Sequence, residues 1–377
     1  MKKKTILLVG GGTGGHIVPI LNIYKIIKQK YPDISIITVG GKTSIDKKLY
    51  TDTENHISLT TGKLHRTFNL NNILQLLYLI SGFVKSFLIL LEHKPDIIFS
   101  KAGYVSLPIV FWAKIFKIPY FIHESDIVIG KSNQFASSGA KKIFVGFPSD
   151  NYPKKLQNKI VYVGQILRSE IDDISGHTFN FGFNNERPVI FITGGSQGAR
   201  NINNAVFNSL DQLLDKYNLI HHVGSLDYQK AIEIKSKLND AQKKFYFVSE
   251  LLTNNNSKDS LLSAVSQSKL VVSRSSATTL GEVSALRKPI ITIPYKHAAS
   301  DHQTKNALFY QRAKAAVLLH DSNINNNLGK EINSLFNNPD GMKQMAENAF
   351  NLLPRDGLTK VVEEIISFVK NEKYEEL

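Results

Sequence analysis

Short apolar runs alternate with longer segments of helical period along the first half of the chain. The runs fall at 6–9, 34–39, 97–99 and 120–122, each too short for a helix and bounded by turn-forming residues. That alternation is the pattern of parallel strands covered by helices. It restarts after Pro188, with runs at 189–193, 245–248, 270–273 and 290–293, and predicts a second parallel sheet. The intervening stretch, 146–187, is rich in Pro, Asn, Asp, Lys and Gly and holds one strand-like run at 160–163, so it reads as an interdomain linker. The asparagine-rich stretches 253–258 and 323–327 read as surface loops.

One segment is apolar on more than one face. Between 73 and 91, Ile73, Leu76, Leu77, Ile80, Phe83, Val84, Phe87 and Leu91 mark a helical stripe, while Leu74, Tyr78, Ile89 and Leu90 spill outside it. Gln75, Ser81, Gly82, Lys85 and Ser86 make the segment too polar for a comfortable membrane span of about 20 apolar residues. Two readings stand: a buried core helix, or an interfacial helix lying on an anionic bilayer through Ile73, Leu77, Ile80, Phe83 and Phe87, with Lys63, Arg66, Lys85 and Lys94 nearby.

The 377 residues exceed one ordinary core and suit two domains of roughly 150 to 200 residues each. With 42% hydrophobic and 21% charged residues, neither wholesale disorder nor a polytopic membrane protein is favoured. The absence of cysteine excludes disulfides and thiolate metal sites and suits a reducing compartment. The N-terminal apolar run is too short for a signal-peptide core, so a cytoplasmic location is expected. A net charge of +14 favours anionic partners, whether nucleic acid, nucleotide phosphates or an acidic lipid surface.

Candidate chemistry gathers at the ends of the predicted strands. Gly10 to Gly15, in the order Gly-Gly-Gly-Thr-Gly-Gly, form a turn in which bare backbone approaches a phosphate or sugar at a helix N-terminus. A nicotinamide-binding fold places an acidic residue at the end of its second strand, and here that strand ends Thr38-Val39-Gly40-Gly41, which disfavours a dehydrogenase. His16, in the first turn of the following helix, is either a proton acceptor for a sugar hydroxyl or a capping and packing histidine. Gly194-Gly195-Ser196-Gln197-Gly198 repeats the turn in the second half, with Ser196 adding a hydroxyl donor. Arg274 to Glu282 follow another strand, with Ser and Thr placed to cap a helix and Glu282 one turn further in, where it is either a ribose acceptor or a surface carboxylate. No Asp-x-Asp and no His/Asp cluster at ligand spacing occurs, so no metal is indicated.

Taken in order, Gly-Gly-Thr-Gly-Gly-His at 11–16, Ala-Gly-Tyr-Val-Ser at 102–106, His-Glu-Ser-Asp at 123–126, Gly-Gly-Ser-Gln-Gly-Ala-Arg at 194–200, the segment from Arg274 to Glu282, and the stretch 294–307 with Asp301, Gln303 and Asn306 resemble the MurG family of lipid II-forming N-acetylglucosaminyltransferases. The resemblance implies a GT-B fold, two Rossmann-like α/β domains with parallel sheets facing a cleft. It implies an N-terminal acceptor- and membrane-associating domain at 1–163, a UDP-sugar domain at 164–353 and a C-terminal helix at 354–377 packing back on the first domain. The implied reaction is inverting, metal-free and cofactor-free transfer of N-acetylglucosamine (GlcNAc) from UDP-GlcNAc to the 4-hydroxyl of the muramic sugar of undecaprenyl-diphosphate-linked muramyl-pentapeptide. Its expected setting is the cytoplasmic face of the cell membrane, on an anionic surface and without nucleic acid.

By the same resemblance, His16 is the candidate general base, Thr13, Gly14 and Gly15 stand beside it near the acceptor diphosphate, and those three and Asp126 count among the UDP-GlcNAc contacts. Gly103 and Tyr104 fall on the acceptor side. For UDP-GlcNAc the resemblance implies Ser196 at the diphosphate, Arg168 near the donor phosphates, Leu252 at the uracil, Glu282 at the ribose, Ala277, Thr278 and Gln303 at the GlcNAc, and Thr279, Leu280 and Gly281 on the same helix. The family's His-Glu-Gln-Asn is here His123-Glu124-Ser125-Asp126, so Asp126 accepts a hydroxyl bond where an amide also donates. The family's glycine pair before Tyr-Val-Ser is Ala102-Gly103, and its asparagine-proline after Gly164 is Gln165-Ile166. Two rival readings remain: a related GT-B transferase with another lipid or glycan acceptor, and a UDP-sugar-binding membrane scaffold without turnover.

Overall fold

The computed structural model describes residues 3–62, 71–172, 174, 179–183, 185–195, 197–252 and 261–370. Two compact units emerge: one of the chain through Arg168 together with the segment from Pro354, the other Ser169–Leu353. The segment 164–168 therefore stands with the first unit.

The first unit is a seven-stranded parallel sheet of β1 (Thr5–Val9), β2 (Ser35–Gly40), β3 (His56–Ser58), β4 (Ile97–Ser100), β5 (Tyr120–Glu124), β6 (Lys142–Val145) and β7 (Ile160–Tyr162), in the order β3-β2-β1-β4-β5-β6-β7. Its helices are α1 (Gly14–Lys30), α2 (Ser44–Leu49), α3 (Asn71–His93), α4 (Ser106–Ile115) and α5 (Lys131–Ser137). β1, β4 and β5 are buried at every position, as strands covered on both faces must be. The second unit carries β8 (Val189–Thr193), β9 (Asn218–His222), β10 (Tyr246–Ser249), β11 (Leu270–Arg274), β12 (Ile290–Ile293) and β13 (Val317–Leu318) in the order β10-β9-β8-β11-β12-β13, all parallel. Its helices are α6 (Arg200–Asn208), α7 (Leu210–Leu214), α8 (Tyr228–Lys237), α9 (Asp240–Lys243), α10 (Leu261–Gln267), α11 (Ala277–Ala285), α12 (His302–Arg312), α13 (Ile324–Phe336) and α14 (Pro339–Phe350). The last helix, α15 (Gly357–Val369), lies in the first unit, where Leu358, Val361, Val362, Ile365 and Ile366 join Ile6, Ile17, Ile20 and Phe121 in one core.

The structure corrects two of the sequence expectations. The run at 160 is not in a linker: β7 pairs with β6 and edges the first sheet, so the chain leaves that unit only after Arg168. The asparagines at 323–327 open α13, because Ile324, Leu328, Ile332 and Leu335 recur at helical spacing and are buried while the asparagines take the other faces. The stretch 253–258 lies outside the described residues. β9 escaped notice because Asn218, His221 and His222 are polar letters, yet all three are buried. Asn218 donates to Asn185 Oδ1 and Arg187 O, and His221 donates from Nε2 to Asn203 Oδ1 (3.1 Å) while its Nδ1 accepts from Tyr246 Oη (2.8 Å).

That network binds His221 as a neutral ring, and burial lowers its pKa from 6.5 to about 3 and that of His222 to about 4. Below 6.5 the unfolded chain takes protons that the folded one refuses, so acid favours unfolding down to those folded values. The second unit should lose stability in that window, by about 1.4 kcal/mol per pH unit for each histidine. Urea unfolding followed across the window checks this, and replacing both histidines by glutamine should flatten the dependence.

Candidate active site

Both sheets reverse their strand order at one place, between β1 and β4 in the first and between β8 and β11 in the second. Helices leave such a pair in opposite directions, and a crevice opens at the carboxyl ends of the two strands. The singled-out motifs stand at those ends: Gly10–His16 after β1, Lys101–Tyr104 after β4 and Ser125–Asp126 after β5 in the first unit; the glycine turn at 194–198 after β8, and Ser275–Glu282 after β11, in the second.

In the first unit the glycine turn is held by a residue that the sequence reading passed over. Asp46, buried in the first turn of α2, accepts from Gly12 N (3.0 Å) and Gly41 N (2.8 Å) on one oxygen, and from Thr43 N (3.1 Å) and the Thr43 hydroxyl on the other. Thr43 and Asp46 form a capping box, a spacing legible in the sequence; the bond to Gly12, 34 residues away, was not. Tyr50 Oη donates to Gly10 O at 2.5 Å, fixing the start of the same turn. Beyond it, Thr13 flanks α1 without a side-chain cap and no acidic residue sits in the first turn, so the helix N-terminus presents its amides to an anion.

His16 is half-buried at that N-terminus, with Nδ1 3.3 Å from Gly11 O and 3.4 Å from Thr13 Oγ1. When Nδ1 donates to Gly11 O, Nε2 is the ring nitrogen that takes a proton. That is the tautomer a general base needs. Gly103, at φ 87°, passes so close that a Cβ there would lie 3.1 Å from His16 Nδ1, and Tyr104 lies against Gly12. Thr13, Gly14, Gly15, His16, Gly103 and Tyr104 thus come together. Asp126 stands on the neighbouring strand end, its N donating to Glu124 Oε1 (3.0 Å) and its O accepting from Tyr152 Oη (2.9 Å). Of the residues assigned to UDP-GlcNAc, Thr13, Gly14, Gly15, Asp126 and Arg168 are in the first unit and the others in the second.

In the second unit Gly195, at φ 84°, donates from its N to Thr193 Oγ1 (3.0 Å), which in turn meets His222 Nδ1 (3.0 Å). A Cβ on Gly198 would come within 2.2 Å of Val223 O, so only glycine fits there. Ser196 lies outside the described residues. α6 begins without a side-chain cap or first-turn acid. α11 is capped by Ser276, which accepts from Thr279 N, and carries Ala277, Leu280, Gly281 and Glu282 buried with Thr278 and Thr279 half-buried. Arg274 is a structural tie: its guanidinium bonds Ile293 O, Pro294 O and Asp321 (2.7 Å). Gln303 Oε1 accepts from Tyr295 N at 2.9 Å, leaving the amide NH2 to donate. Leu252 is buried after β10.

The stripe on α3 divides. Phe83 and Phe87 are half-buried against α4, with ring centroids 5.1 Å from Phe111 and 5.0 Å from Trp112, and do not join the exposed face. Leu77 (56%), Ile80 (53%), Val84 (56%) and Leu88 (54%) are exposed on the adjoining row, and Ile115 of α4 is exposed too. Lys85 donates to Ser58 O at 2.8 Å. The side chain of Ile73, and the residues Lys63 and Arg66, lie outside the described residues. Gln75–His93 is long and apolar enough to cross a membrane by length and composition, the single such helix among the described residues.

Residues 6–145 match the glycosyltransferase family 28 N-terminal domain and 189–362 its C-terminal domain. The chain superimposes on MurG of Acinetobacter baumannii with a TM-score of 0.70 at 22% identity, covering 97% of this chain and 99% of that one. UDP-GlcNAc 2-epimerase from Neisseria meningitidis gives 0.62 at 14% identity, covering 97% and 100%. The fold is that of a GT-B glycosyltransferase of family 28. In sequence, the UDP-N-acetylglucosamine--N-acetylmuramyl-(pentapeptide) pyrophosphoryl-undecaprenol N-acetylglucosamine transferase of Geobacillus thermodenitrificans is 32% identical over 367 residues, 96% of this chain and 99% of the relative. That of Listeria monocytogenes is 31% identical over 374 residues, 97% and 99%. The chain belongs to the MurG family.

Replacing Asp46 by alanine should cost about 2–4 kcal/mol, since it strands buried amide donors of Gly12 and Gly41. Urea denaturation measures the loss, and transfer activity should fall with it because the glycine turn loosens.

Proposed function

We propose that this chain transfers GlcNAc from UDP-GlcNAc to the 4-hydroxyl of the muramic sugar of undecaprenyl-diphosphate-linked muramyl-pentapeptide, with inversion at the anomeric carbon. Full-length relationship to transferases of that name supports the substrates. The observation that carries the mechanism is the place of His16 in the first turn of α1 beside the glycine turn, with Nδ1 3.3 Å from Gly11 O. His16 Nε2 takes the hydroxyl proton while the oxygen forms its bond to the anomeric carbon, and the bond to UDP breaks with its electron pair on the diphosphate. The first unit takes the acceptor and the second the UDP-sugar, with the turn at 194–198, the α6 N-terminus and Arg168 offsetting charge on the departing diphosphate. Glu282 holds the ribose, the backbone at Leu252 the uracil, and Thr278 and Gln303 the sugar.

The exposed row of α3 supports a peripheral seat on the cytoplasmic face of the cell membrane. Apolar residues exposed along α3, in a chain of net charge +14, suit an anionic bilayer, where a lipid-linked acceptor resides.

Transfer of labelled GlcNAc to the lipid-linked acceptor tests the reaction. His16→Ala should reduce it by at least about a hundredfold, the scale of a lost general base; an undiminished rate would remove His16 from that role, and no transfer by the wild type would point to another acceptor. For the membrane, Leu77→Glu combined with Ile80→Glu should weaken binding to phosphatidylglycerol-containing vesicles at least about a hundredfold, while UDP-GlcNAc affinity in solution stays unchanged.

A further inference from the structure

β8 ends in a buried polar residue. Its letters are Val-Ile-Phe-Ile-Thr, and Thr193, the last, is 3% exposed, so its hydroxyl needs partners inside the fold. The parallel register sets it beside His222, the last residue of β9, which is equally buried. The two side chains meet at 3.0 Å, Oγ1 to Nδ1, and the same Oγ1 accepts from Gly195 N at 3.0 Å. An amide only donates, so this one requires the threonine oxygen, and His222 fixes where that oxygen points whichever of the pair carries the proton between them.

The end of β9 meets the glycine turn at a second point. Gly198 packs on Gly224 so closely that a Cβ on Gly224 would lie 2.5 Å from Gly198 Cα, and Gly224 holds φ 79° in making that approach. α6, which leaves the turn, is braced from the same side: Asn203 Nδ2 donates to Val223 O (2.9 Å) and to Asp227 Oδ2 (2.7 Å). Gly195 differs from its neighbours, because a Cβ there would meet nothing within 4 Å. Packing therefore does not set its conformation; its two backbone bonds do, N to Thr193 Oγ1 and O from Gly198 N (2.9 Å).

We infer that Thr193 and His222 are positioning residues for the sugar-nucleotide donor: His222 orients the Thr193 hydroxyl, and the hydroxyl fixes the Gly195 amide and with it the aim of the turn that takes the UDP diphosphate. The inference rests on the transferase reading, in which that turn offsets charge on the diphosphate. Neither side chain touches substrate; both act through the Gly195 backbone.

The test measures UDP affinity by titration calorimetry, and donor and acceptor KM in the transfer assay, for wild type, Thr193→Val, Thr193→Ser, His222→Leu and His222→Asn. Thr193→Val keeps the volume and loses the hydroxyl; it should weaken UDP binding and raise donor KM about tenfold, the scale of one hydrogen bond, with acceptor KM unchanged. Thr193→Ser keeps the oxygen and should recover most of that loss, a recovery that a packing defect would not show, since serine leaves the larger void. His222→Leu should raise donor KM severalfold, and His222→Asn, whose side-chain oxygen replaces Nδ1 as a partner, should raise it less. Thr193→Val with wild-type UDP affinity, or with donor and acceptor KM rising together, overturns the inference while leaving the transferase reading intact. If Thr193→Val does not fold, the His222 pair decides on the same readout: a larger loss in His222→Leu than in His222→Asn supports the inference, and equal losses overturn it. Absence of transfer by the wild type overturns the transferase reading and the inference together.

Discussion

Everything functional in this protein depends on where a parallel sheet changes direction. Crossover helices cover the faces of such a sheet, but at the strand pair where the order reverses they depart to opposite sides and leave the carboxyl ends open. Here the open ends belong to β1 and β4 in one unit and β8 and β11 in the other. Each carries a glycine turn, and in each the turn is not left to its own conformation. Asp46 and Tyr50 grip the first, and Thr193 and the Val223–Gly224 backbone confine the second. Binding groups made of backbone amides have little specificity of their own; their precision is supplied by the buried residues that hold them.

The first unit combines this with charge. His16 sits in the first turn of α1 with Nδ1 3.3 Å from Gly11 O, beside the glycine turn. At the end of β4 the buried Lys101 donates to the Ser125 hydroxyl in the turn after β5. Asp46 and Lys101 each bond a residue contributed by another segment, Gly12 through its backbone and Ser125 through its hydroxyl.

Much of the fold was legible because buried parallel strands are continuous apolar runs, and β1, β4, β5, β8, β11 and β12 are of that kind. Of the strands that were missed, β6 is itself an apolar, buried run, whereas the others fail the pattern for particular reasons. β9 is buried yet carries Asn218, His221 and His222, whose polarity is absorbed by side-chain bonds. β13 is two residues long, and β3 is partly exposed at a sheet edge. The asparagines opening α13 suggested a loop because composition outweighed the periodicity of Ile324, Leu328 and Ile332. For α3, the periodicity showed that one face could not hold all the apolar residues. Which row faced α4 depended on Phe111 and Trp112, residues on another helix.

By itself the sequence determined the two α/β units, the glycine turns that open their helices, and the family to which the chain belongs, since these reside in local pattern and ordered motifs. Only the tertiary structure decided that Asp46 clasps Gly12, that His16 sets Nδ1 beside Gly11 O, that Phe83 and Phe87 turn inward and that Lys101 lies buried beneath Ser125. Hydrogen bonds, burial and charge depend on distance in space, and the partners in these cases are brought together by sheet pairing and helix packing, which no single segment encodes.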